Sequence, residues 1–138
     1  MLDVMSILKG FTTISYWADD LEAAANWYAE LLGIEPYFRR PAYIEFRVGP
    51  DEDELGIVDA AYLPDGWVRG AAGVVMHWAV DDVHATFATL QEMGATPVQP
   101  PIERGPGYVT ASVLDPFGNV LGVMENVHFD ERHGSQAA

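Results

Sequence analysis

"WADDLEAAANWYAELLGIEP", residues 17–36, returns in altered form as "AVDDVHATFATLQEMGATPV", residues 79–98. Asp19-Asp20-Leu21 answers to Asp81-Asp82-Val83, and Gly33 answers to Gly94. Further on, "YIEFRVGP" from Tyr43 pairs with "YVTASVLD" from Tyr108, and "LGIVD" (Leu55–Asp59) pairs with "LGVME" (Leu121–Glu125). The same landmarks follow in the same order in each half, so the chain is an internal duplication.

Each half has a local reading. "FTTISYWA" and "GVVMHWAV" are rich in β-branched and aromatic residues and are expected as strands. Asp19, with Glu22 three residues later, fits a capping box. Leu21, Ala24, Ala25, Tyr28 and Leu32 then recur at helical spacing up to Gly33, the usual position just past a helix end. Val83, Phe87 and Leu90 repeat the pattern up to Gly94. Three short strands follow each helix, divided by "RRPA", "GPDEDE", "RGPG" and "DPFG". The expected fold is α+β: two βαβββ modules forming a curved, mostly antiparallel sheet around a central cleft. One domain covers 1–138, with modules at 7–66 and 74–129, a linker at 67–73 and a loose polar tail at 130–138.

The 138 residues suffice for one core-bearing domain, and nearly half are apolar. No cysteine is present, which removes thiolate nucleophiles and thiolate ligands and fits a reducing compartment. "MLDVMSILKGF" makes a poor secretion signal, and no apolar run approaches a membrane span, so a cytoplasmic location is expected. Seven basic against 21 acidic residues give a net charge of −14. Such a surface repels phosphate backbones and anionic lipid, so neither nucleic acid nor membrane is an expected partner. It serves solubility first, and it would also draw a cationic ligand. No phosphate-cradling glycine loop and no serine nucleophile motif occur.

The motifs "ADDLEAAANWYAELLG", "AVDDVHATF" and "DPFGN", set in paired βαβββ halves, resemble the glyoxalase / bleomycin-resistance / extradiol-dioxygenase family, the vicinal oxygen chelate proteins. The resemblance runs from about Phe11 to Asn126. It implies that catalytic members hold a divalent metal with four strand residues. Two lie seven positions before the aspartate that opens each helix, and two are glutamates or equivalents on the last strand of each half. Those positions fall here on Thr13, Val75, Gly56 and Gly122. Such ions need several imidazole or carboxylate donors at about 2 Å, which Thr, Val and two Gly do not supply. No metal and no other cofactor is therefore expected. The resemblance also implies a homodimer.

Strand alternation picks out what lines the cleft instead. Thr13, Ser15 and Trp17 share one face of the first strand, with Ile14 and Tyr16 behind. Val75, His77 and Ala79 do so in the second half, with Met76, Trp78 and Val80 behind. Ile44, Phe46 and Val48 read as core, which turns Tyr43, Glu45 and Arg47 to the cleft. Tyr108, Thr110 and Ser112 match them, and Val58, Val120 and Met124 join from the last strands. The ligand-contact set is Thr13, Ser15, Trp17, Tyr43, Glu45, Arg47, Val58, Val75, His77, Tyr108, Thr110, Gly122 and Met124. Gly56 and Gly122 either open space where glutamates would stand or mark a bulge or a close strand approach.

His77 reads as a ligand contact, a general base, or a histidine satisfied by a neighbour such as Glu45. Glu45 reads most simply as an ion-pair partner of Arg47. Trp17 and Tyr108 offer flat faces to a planar ligand or pack in the core. Trp67 in the linker either lines the cleft mouth or covers the core. His84 and His128 are expected to be exposed and silent, and His133 belongs to the loose tail.

Two functions remain beside a third, a chain whose main role is association with another chain. One is metal-free binding of a hydrophobic, aromatic or cationic small molecule, as in the antibiotic-sequestering members that the resemblance brings in. The other is an enzyme, a lyase, isomerase or dioxygenase, using His77 or Glu45 with or without an unusual metal site. Glu125 would point away from the cleft and contributes poorly to any such site.

Overall fold

Helix α1 (Leu21–Leu32) starts where Asp20 turns its carboxylate back, accepting from the Ala23 N–H at 3.0 Å. Asp20, not Asp19, is the cap, and Glu22 does not close a box. Its carboxylate instead lies 3.3 Å from Arg39. Two adjacent aspartates offered two frames, and the strand ahead decides between them: β1 (Thr13–Ala18) ends one residue before the pair. Gly33, at φ +70, closes the helix in the left-handed region. The second half repeats the device, with Asp82 accepting from the Ala85 N–H at 3.0 Å to open α2 (Val83–Glu92).

The computed structural model describes residues 7–134. Residues 135–138 of the expected tail lie outside the described residues. The chain divides after Tyr62 into two units, each with its own four-stranded sheet. In the first, β2 (Phe38–Arg40), β3 (Tyr43–Val48) and β4 (Asp53–Asp59) follow α1, in the order β1-β4-β3-β2. In the second, β5 (His77–Ala79), α2, β6 (Thr96–Gly105), β7 (Tyr108–Leu114) and β8 (Val120–Asn126) give the order β5-β8-β7-β6. Each sheet has one parallel pairing, β1 with β4 or β5 with β8, and two antiparallel ones. The α+β class and the duplicated βαβββ pattern are both present.

Each helix covers one face of its own sheet. In the first unit Tyr16, Ala18, Ile44, Phe46, Leu55 and Ile57 bury themselves against Ala24, Ala25 and Tyr28 of α1. In the second, Ala111, Val113, Leu121 and Val123 do so with Val83 and Leu90 of α2. Each fully buried large side chain contributes about 1.5–3 kcal/mol.

Strand β5 is shorter than its sequence suggests. Val74 and Val75 are β-branched, yet pairing with β8 runs only from His77 to Ala79, and both valines are exposed. The chain leaves the ladder at Met76, whose carbonyl accepts from the Gly122 N–H at 2.9 Å. The segment expected as tail also differs, because α3 (Val127–His133) is a helix capped by Asn126, which accepts from the Phe129 N–H at 2.8 Å. His133 there stacks on Phe129 at 4.0 Å between ring centroids.

The "DPFGN" turn owes its composition to one buried carboxylate. Asp115, 4 % exposed, accepts from the backbone N–H groups of Phe117 and Asn119 at 2.9 and 2.8 Å. The Asn119 amide adds a bond at 3.0 Å. Gly118, at φ +90, supplies the left-handed residue that lets the chain fold around it.

Candidate functional site

The face of each sheet turned away from its helix carries most of the polar and aromatic side chains singled out from the sequence. On the first sheet, registration sets Ser15 beside Gly56 and Gly56 beside Glu45. One step along, Trp17 lies beside Val58 and Val58 beside Tyr43. One step back, Thr13 lies beside Glu54 and Glu54 beside Arg47. Thr13, Ser15, Trp17, Tyr43, Glu45, Arg47 and Val58 thus share one face.

They form a connected network. Glu45, 5 % exposed, accepts from the Tyr43 hydroxyl and from Arg47 Nε, each at 2.9 Å. Arg47 also lies 3.9 Å from Glu54 and stacks 3.9 Å above the Tyr37 ring centre. Glu54 in turn accepts from the Thr13 hydroxyl at 2.6 Å. Burial and the Glu45 hydrogen bond push the Tyr43 phenol up to about 12. Arg47 is raised further by its bond to Glu45. Glu54 and Tyr37 escaped the sequence reading. Glu54 sits two residues before Gly56 and four before Val58, so the same alternation could have found it. Tyr37 lies outside any strand and gave no such signal.

The second sheet sets His77 beside Gly122 and Gly122 beside Ser112, while Ala79, Met124 and Thr110 form the next row. Tyr108 lies one step further, half-buried, opposite Asn126. Arg104 was not anticipated. The β6–β7 register shifts there, and Arg104 reaches Thr110 Oγ1 at 3.1 Å and Gln99 Oε1 at 3.4 Å. His77 is held below the usual histidine range, first by burial and then by the Arg104 charge. Glu125 is on the helix side, as expected, where it accepts from the Val83 N–H at 2.9 Å and caps α2. Val75 precedes β5, so strand alternation does not assign it a face. Trp67 is 56 % exposed and does not cover the core.

The two glycines are not gaps. A Cβ on Gly56 would stand 2.6 Å from both Cε1 and Oη of Tyr43. A Cβ on Gly122 would stand 2.8 Å from His77 Cδ2 and 2.9 Å from the Met76 carbonyl oxygen. Open space fails at both positions; close strand approach is seen at Gly122, against the Met76 carbonyl, whereas at Gly56 the neighbour is a side chain. An aromatic ring from the adjoining strand covers each.

This arrangement does not fit the divalent ion that the resemblance implies. Gly56 and Gly122 offer no donor, and Tyr43 and His77 fill their places. Val75 is apolar, and the Thr13 hydroxyl is committed to Glu54. Among the described residues, no three histidine, aspartate or glutamate side chains gather as a metal site.

Comparison with known proteins agrees on the class. The model of the Glyoxalase/Bleomycin resistance protein/Dioxygenase superfamily matches residues 10–123. The chain belongs to this family. It is 32% identical over 81 residues to the cadmium-induced protein CadI of Mycobacterium tuberculosis, covering 55% of this chain and 48% of that protein. The chain therefore spans about half the length of the curated relatives it matches. Among solved structures, a protein of Agrobacterium tumefaciens superposes with TM-score 0.72 at 25% identity, covering 87% of this chain and 99% of the other. A glyoxalase-related enzyme from Fulvimarina pelagi gives 0.68 at 21%, covering 85% and 88%. A bleomycin resistance determinant encoded on the transposon Tn5 gives 0.61 at 20%, covering 86% and 99%.

Proposed function

We propose that this protein binds a hydrophobic or aromatic small molecule, with the open face of each unit's sheet as a candidate contact surface, without a divalent metal. The observation that carries the reading is the pair of covered glycines: where metal-dependent relatives place glutamates, Tyr43 and His77 lie over backbone. On the face of Gly56 stand Trp17, Tyr37 and Tyr43, and on the face of Gly122 stands Tyr108, each with a few hydrogen-bonding groups, the usual makeup of a small-molecule site. Thr13, Ser15, Glu45, Arg47, Val58, Thr110, Gly122 and Met124 complete the contact set, and Val75 belongs to it only through the segment ahead of β5. Sequestration, which the resemblance implies for antibiotic-binding members of the family, is the role put forward, and a bleomycin resistance determinant is among the similar structures. The homodimer and the cytoplasmic location expected from the sequence are part of the proposal.

Calorimetric titration of metal-free protein against a panel of planar antibiotics and simpler aromatic compounds tests the reading. Saturable binding supports it, and silence across the panel refutes it. Cadmium belongs among the metals tested beside them, because the name of one relative ties it to that ion.

A second reading has its own observation. The His77 ring makes no side-chain hydrogen bond among the described residues and favours its neutral form, as a general base must. If the ligand is converted, His77→Ala abolishes turnover; if it is only held, the same change weakens binding.

A further inference from the structure

In a chain with 21 acidic residues, the open face of the second sheet carries none on β5, β7 or β8. Glu125, the one carboxylate on these strands, is turned to the helix side and spent on the α2 cap. The contrast with the first sheet is direct, because Glu45 and Glu54 there neutralise Arg47.

Arg104 has no such partner. It donates to two neutral oxygens, Thr110 Oγ1 at 3.1 Å and Gln99 Oε1 at 3.4 Å. Among the described residues no carboxylate stands within ion-pair distance of it. Thr110 accepts that bond and keeps its own hydroxyl proton for another. The Ser112 hydroxyl, on a residue 8 % exposed, makes no side-chain hydrogen bond among the described residues, nor does the His77 ring. Registration brings these donors together, with Ser112 and His77 flanking Gly122 and Thr110 one row away. Guanidinium and hydroxyl donors with unspent protons, and no anion of the protein's own, form a receptor for an oxyanion.

We infer that the open face of the second sheet takes an anionic group of the small molecule, a carboxylate or a phosphate, at Arg104 with Thr110, Ser112 and His77. This rests on the small-molecule reading above and fixes the charge of one end of the ligand. The net charge of −14 acts against it at long range, but ions screen that field beyond about 8 Å at physiological salt. Contact with Arg104 is not screened in the same way. The guanidinium is the anchor, and the neutral imidazole contributes a ring N–H rather than a charge.

The test is an NMR titration of the isotope-labelled protein with four probes of similar size: benzoate, phenyl phosphate, benzyl alcohol and benzylammonium. Benzoate or phenyl phosphate is expected to shift the Gln99, Thr110, Ser112 and Gly122 amides and to bind about tenfold tighter than benzyl alcohol. Comparing the two anions tells a carboxylate from a phosphate preference. Arg104→Gln should remove that advantage while leaving benzyl alcohol unchanged, and Arg104→Lys should keep part of it. Arg104 is exposed, so an unchanged amide spectrum in the absence of probe verifies that both variants are folded. Benzyl alcohol binding as tightly as the anions, or an anion preference that survives Arg104→Gln, overturns the inference alone. Tighter binding of benzylammonium at these amides does so too. Failure of all four probes to bind either sheet overturns both the inference and the reading beneath it.

Discussion

The phenol of Tyr43 lies directly over Gly56, so that a Cβ there would meet its ring at 2.6 Å. The residue that replaces a family ligand is therefore held to glycine by a neighbour two strand positions away from its own pairing partner, Glu45. A side chain at position 56 would have to displace the Tyr43 ring, which its bond to Glu45 holds in place.

Gly56→Ala is expected to destabilise the protein by about 1–3 kcal/mol, as overpacking does. In a Tyr43→Ala background the added cost should vanish, because the obstacle is a side chain. Gly122→Ala behaves differently. His77→Ala relieves only part of its cost, since the Met76 carbonyl at 2.9 Å is backbone. Denaturant unfolding of the two double-mutant cycles checks this, and equal relief at both sites would contradict it.

Tyr43 makes stability depend on alkaline pH. Its phenol rises from 10.0 to about 12 in the fold, through burial first and then the bond to Glu45. The folded state holds this proton longer than the unfolded state does. Its contribution is thus whole below pH 10 and is lost as pH rises from 10 toward 12. Unfolding free energy should fall across that window in the parent and fall less steeply in Tyr43→Phe. Tyrosinate absorbance should show one phenol titrating late, and that phenol should be missing from the variant.

Asp115 holds the turn ahead of β8 and thereby the start of the strand that carries Gly122 and Met124. Asp115→Ala leaves the N–H groups of Phe117 and Asn119 without their acceptor and is expected to cost about 2–4 kcal/mol. Asp115→Asn keeps one oxygen and should cost less. Thermal unfolding of the two variants measures the difference.

The duplicated landmarks made the module order, the helices and their Gly33 and Gly94 ends legible in the sequence. Alternation made the faces of β1, β3, β7 and β8 legible, because each has one side packed on a helix. Three features were hidden for physical reasons. Asp19 and Asp20 are chemically equal as caps, and only the end of β1 chooses between them. Val74 and Val75 have strand propensity, yet the pairing with β8 starts only at His77. Arg104 sits at a register shift, where the two-residue period no longer tells which way a side chain reaches.

His77 should titrate below 6.5, since burial and then the Arg104 charge both disfavour its cation. Because the fold prefers the neutral ring, its contribution to stability is present above pH 6.5 and is lost as pH falls through the lowered value. Arg104→Gln should move the midpoint up but not back to 6.5, since burial remains. Imidazole chemical shifts against pH give both midpoints, and an unchanged midpoint in the variant would contradict the coupling.

The account turns on Thr13, Val75, Gly56 and Gly122 being unable to hold a metal. Elemental mass spectrometry of untagged protein, after dialysis against mixed manganese, iron, cobalt, nickel, zinc and cadmium and then against buffer, measures this directly. The account predicts no stoichiometric metal. One firmly held ion per chain would contradict it and turn the search from a ligand to a metal-dependent reaction.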